Sequence, residues 1–80
     1  MLNLTKLNQK LDSMITNESN EMVKIGMTHG TKLFREMIKD TNLNPYWNVM
    51  GLNLIINIEN DKEIKKGYEM VKETILNHIA

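Results

Sequence analysis

Two histidines, His29 and His78, are the side chains of this chain whose ordinary titration falls near neutral pH, so a search for chemistry begins with them. His29 precedes Glu36 by seven residues, which on a helix brings both to roughly the same face. A His–Glu pair of that kind can do acid–base work. Neither histidine stands in H-E-x-x-H or E-x-x-H spacing, so a helix-borne zinc or di-iron site is not expected. The chain has no cysteine, which removes thiol nucleophiles and thiolate metal ligands. Ser13 and Ser19 lack a nucleophile-elbow context, and Ser19 reads better as a helix cap. The expectation is therefore no catalytic residue, no metal and no cofactor, with His29 a partly exposed helix residue and the protein not an enzyme.

Phosphate recognition is the other chemistry to weigh. The stretch "GMTHGTK", residues 26–32, looks glycine-rich but lacks the G-x-x-x-x-G-K-[ST] spacing that wraps backbone amides around phosphates. Lys24, Lys32, Arg35 and Lys39 form a basic stripe at helical spacing. These four are the candidates for binding an anionic partner, whether a phosphate group or an acidic protein surface; the plainer reading is a solvated helix face. A formal net charge of zero and the absence of a helix-turn-helix signature argue against nucleic-acid binding as the main task. Tyr46 and Trp47 have rings able to stack on a base, but they read more simply as core anchors at the start of a helix.

The elements that would position these groups are all helical. Leu4, Leu7, Leu11 and Met14 recur at spacings of three, four and three, a coiled-coil-like seam on a first helix over 4–16. Asn3 or Thr5 is its candidate cap. "TNESNE" interrupts the pattern, and Ser19 or Asn20 is a natural cap for a second helix over 19–40. The segment from Val23 to Met27 also alternates like a strand, but one helical stripe through Met22, Val23, Gly26, Met27, Gly30, Phe34, Met37 and Ile38 accounts for the whole stretch. Glycine inside a helix costs about 1 kcal/mol relative to alanine. Gly26 and Gly30 both fall on that stripe, and they are the candidates for close packing against another backbone.

Pro45 suits the first position of a third helix, 45–58, with Asn44 as cap. The segment "VMGLNLIINIE" is ambiguous. As a helix it is apolar on nearly every side, which predicts a central, nearly buried element. Its alternation also fits a strand near 52–58 paired between chains, giving an α+β alternative. "NDKE" reads as a capping box on Asn60 and Glu63, opening a fourth helix over 61–79 with Ile64, Tyr68, Val71, Ile75 and Ile79 on its apolar face.

Eighty residues make one helical domain, 1–80, a small all-α bundle whose core is marginal unless something adds to it. The sequence has no signal-peptide pattern and no transmembrane run, and the expectation is a soluble cytoplasmic protein. The short chain, the seam on the first helix and the surplus of apolar surface together predict a homodimer or higher oligomer. The function expected is that of a noncatalytic helical protein that self-associates and binds another protein, as small regulators, inhibitors and mobile-element accessory proteins do. The alternative is a nucleic-acid or nucleotide-binding module using the basic face of the second helix.

Overall fold

The structure, a computed structural model, describes residues 4–40 and 45–79. It is all-α, with four helices: α1 Leu4–Asn17, α2 Glu21–Asp40, α3 Pro45–Ile58 and α4 Lys62–Ile79. The described residues contain no strand, so residues 52–58 are helical and the intermolecular ribbon is ruled out for them. A lone strand would leave its backbone N–H and C=O groups unpaired, whereas a helix satisfies them within the segment.

The two three-residue connectors within the described residues share one construction. In Glu18-Ser19-Asn20 the Glu18 Oε2 accepts from the Asn20 N–H at 3.0 Å, and Asn20 Oδ1 accepts from the N–H groups of Met22 (3.0 Å) and Val23 (3.2 Å). In Glu59-Asn60-Asp61 the Glu59 Oε2 accepts from the Asn60 and Asp61 N–H groups at 3.1 and 3.2 Å, and Asp61 Oδ1 accepts from Glu63 N–H (2.9 Å) and Ile64 N–H (3.1 Å). Each glutamate folds the turn and each Asx residue caps the next helix. The cap of α4 is thus Asp61, one residue later than the Asn60 capping box expected from sequence. Glu63 is freed to accept from Asn20 Nδ2 at 3.3 Å, which ties the starts of α2 and α4 together. Thr5 lies inside α1 and so does not cap it; the cap candidates Asn3 and Asn44 lie outside the described residues.

The α2–α4 pair is the centre of the bundle. Gly26 meets Ile64 and Gly67, and Gly30 meets Tyr68 and Val71, so the contacts advance together and the two helices run parallel. Two parallel helices bring two positive N-terminal dipole ends side by side. Glu18, Glu21, Glu59, Asp61 and Glu63 cluster in sequence at those two ends, a placement that opposes the dipole repulsion. α1 and α3 pack on this pair without an extended contact between them. The core joins Leu7 and Leu11 of α1, Val23, Met27, Phe34 and Ile38 of α2, Val49 and Leu52 of α3, and Val71 and Ile75 of α4.

The backbones of α2 and α4 come into direct contact at Gly26 and Gly67. A Cβ on Gly26 would press into the Ile64 carbonyl oxygen and lie 3.0 Å from Gly67 Cα. A Cβ on Gly67 would press into the Val23 carbonyl oxygen and lie 2.6 Å from Met27 N and 2.8 Å from Gly26 Cα. These neighbours are backbone atoms of rigid helices and cannot swing aside. Gly30 is different, because its Cβ would meet only side chains, at 3.4–3.7 Å. The backbone contact is therefore Gly26 with Gly67, within one chain.

Gly26→Ala and Gly67→Ala are each expected to destabilise the protein by at least about 2 kcal/mol, since overpacking outweighs the gain in helix propensity. Gly30→Ala is expected to lie between neutral and about 1 kcal/mol stabilising. Urea titration followed by circular dichroism measures all three, and a Gly26→Ala protein as stable as wild type would disprove the close contact.

Candidate functional site

His29 is not paired with Glu36. Its Nδ1 lies 2.8 Å from the hydroxyl of Tyr68, with the rings tilted and their centroids 5.6 Å apart. Tyr68 comes from α4, His29 from α2, and the Glu59 carboxylate, in the α3–α4 connector, acts electrostatically on the same phenol. Burial first, then the Glu59 charge and its hydrogen bond, hold the Tyr68 phenol above its ordinary value. The His29–Tyr68 contact joins α2 to α4 across the central pair. Among the described residues the depression over His29 is lined by α2 alone, an open face rather than a cleft that could exclude water from a reacting group. Among the described residues no group of three or more His, Asp or Glu side chains is placed to hold a metal ion.

The basic stripe is spread along α2 and interrupted by acids. Arg35 Nη2 pairs with Asp12 Oδ1 at 2.7 Å and its Nε donates to Asn8 Oδ1 at 3.0 Å, so this guanidinium fastens α1 to α2. Both partners of the ion pair are well exposed, and such a pair contributes about 1 kcal/mol at most. Lys32 and Lys39 are exposed and Lys24 is half-buried, with Glu21 and Glu36 on the same helix among them. Gly26 and Gly30 lie buried on the opposite side of α2, against α4.

The largest departure from the sequence expectation is α3. It is not a central, buried helix: Asn48, Val49, Leu52 and Ile56 are buried and Ile55 packs partly on the core, while Tyr46, Trp47, Met50, Leu54, Asn57 and Ile58 are exposed. Tyr46 and Trp47 are not core anchors, being 61 % and 60 % exposed. Met50 (57 %), Leu54 (69 %) and Ile58 (76 %) continue the same outer face. Tyr46, Met50, Leu54 and Ile58 follow one another at steps of four, a single ridge along the helix, with Trp47 beside it. Isolated exposed apolar residues are ordinary, but a contiguous face is not. The signal was present in the sequence as apolar residues all around α3; what was missing was the number of neighbours available to cover them.

No helix among the described residues is long and apolar enough to cross a membrane. The chain matches no protein-family model, no curated protein and no solved structure.

The raised Tyr68 value has a definite sign in stability. The folded protein holds the phenol proton more tightly than the unfolded chain, whose phenol titrates near 10.0. Its contribution is complete below that pH and is lost as pH rises through the higher folded value. The stability advantage of wild type over Tyr68→Phe is therefore expected to shrink above pH 10, measured as urea midpoints across the alkaline range. An advantage that stayed constant would show that the phenol titrates alike in both states.

Proposed function

We propose that this protein is a noncatalytic interaction module whose working surface is the outer face of α3. One observation carries the reading: an uncharged helix turns five large apolar side chains toward solvent along one ridge. Covering such a side chain stabilises a complex by roughly 1.5–3 kcal/mol when burial is complete. Leaving it exposed invites unspecific aggregation, so a folded protein that keeps such a face has a use for it. Trp, Tyr and Met are also the residue types enriched at interface cores. The absence of cysteine suits a reducing compartment such as the cytoplasm. The basic face of α2 supports nucleic-acid binding less well, because Arg35 is engaged by Asp12 and Asn8.

Site-specific photo-cross-linking in the cells that make the protein tests this. A photoreactive residue at Leu54 is expected to give a discrete protein adduct, while the same residue at the exposed Glu73 of α4 gives none. Equal background at both positions would end the reading. The adduct mass says whether the occupant is another protein or a further copy of this chain.

A further inference from the structure

We infer that the occupant of the α3 face is a second copy of this chain, which lays its own α3 across it about a two-fold axis; this rests on the interaction reading above and names the partner. The first argument is charge. In a two-fold interface the same patch serves both partners, so each group near the axis meets its own copy. A carboxylate or ammonium there repels itself. The sequence of α3, PYWNVMGLNLIINI, contains no Asp, Glu, Lys, Arg or His. The polar residues toward the edge of the face are Asn53 and Asn57, whose carboxamides carry both donor and acceptor and can pair with their own copies. A face selected for a charged partner surface would carry complementary charges, and this one carries none.

The second argument is area. The five side chains, each more than half exposed, leave several hundred Å² uncovered, comparable with the ~800 Å² per partner of a standard-size interface. One neighbouring copy is enough to cover it. The third is shape. The step of four from Tyr46 to Ile58 presents an i±4 ridge, and two such ridges interdigitate when the helices cross at about −50°. A two-fold axis then passes between Met50 and Leu54, near the middle of the ridge. Ile58 lies about 9 Å along the helix from that midpoint at 1.5 Å per residue, so the two copies of Ile58 stand apart.

Sedimentation equilibrium over nanomolar to high-micromolar concentration tests the assembly, and single cysteines test its geometry, since the chain has none of its own. Wild type is expected to form a concentration-dependent dimer. Leu54→Glu is expected to raise the dissociation constant at least a hundredfold with unchanged helicity, because Leu54 is exposed and its replacement leaves the core intact. A short thiol cross-linker is expected to join Met50→Cys or Leu54→Cys to its own copy, and to leave Ile58→Cys and Glu73→Cys unjoined. A monomer persisting at high micromolar concentration overturns the inference. So does a dimer that survives Leu54→Glu, or one that cross-links through Glu73→Cys instead. A monomer whose Leu54 photo-adduct contains a different protein overturns the second copy alone and leaves the interaction reading standing. A monomer that binds neutral lipid vesicles through α3 overturns both.

Discussion

Two backbones cross at Gly26 and Gly67 with no side chain between them, and the rest of the bundle is arranged around that crossing. The distance of approach is set by backbone atoms on both helices, so it cannot be relaxed by a change of rotamer. Drawing α2 and α4 so close lets Val23, Met27 and Phe34 interleave with Val71 and Ile75 in one core. It also forces the two N-terminal ends together. The Glu-x-Asx connectors answer that constraint: they cap both helices, bring carboxylates near both dipoles and link the ends through Asn20 and Glu63.

With the central pair fixed, α1 and α3 have different fates. α1 is amphipathic, so its leucine seam finds the core and its polar face finds solvent; Leu7 and Leu11 are fully buried within the chain. The Arg35–Asp12 pair and the Thr74 hydroxyl, 3.0 Å from Met14 Sδ, hold its flank. The seam therefore lends no support to assembly, and neither do Gly26 and Gly30, whose contacts lie within the chain. α3 is apolar on two faces, but among the described elements only α2 and α4 pack against it, on one of them. The central pair covers Val49, Leu52 and Ile56, and no fifth helix is present among the described residues to cover Met50, Leu54 and Ile58. The exposed apolar face is thus a consequence of a bundle, four helices among the described residues, that contains a helix suited to a larger core.

The polar cluster around Tyr68 fits the same scheme. It closes the corner where the α3–α4 connector meets the central pair, and Gly51 sits beside Met37, whose flexible thioether fills the gap between α3 and α2. α3 is anchored along its inner face by the apolar packing of Val49, Leu52 and Ile56. Its outer face is consequently presented on a fixed element, which is what a defined interface requires.

Helix identity, helix boundaries to within two residues, and the all-α class were legible in the sequence, because periodicity, capping residues and Pro45 act locally and need no knowledge of neighbours. Asn20 was readable as a cap for that reason; Asp61 was misassigned by one position because Asn60 has the same capping chemistry, and only the chain path shows which residue faces the free N–H groups. The buried face of α2 was legible too, including both of its glycines. The partner of Gly26 was not: Gly67 lies more than thirty-five residues away, and nothing local says which helices will touch. The same holds for His29, which sequence spacing set beside Glu36 and tertiary packing set against Tyr68. α3 shows the division most plainly. Its sequence determined that the helix is apolar on nearly all sides, and only the tertiary structure decided how many of those sides are covered, because burial is a property of neighbours and not of residues.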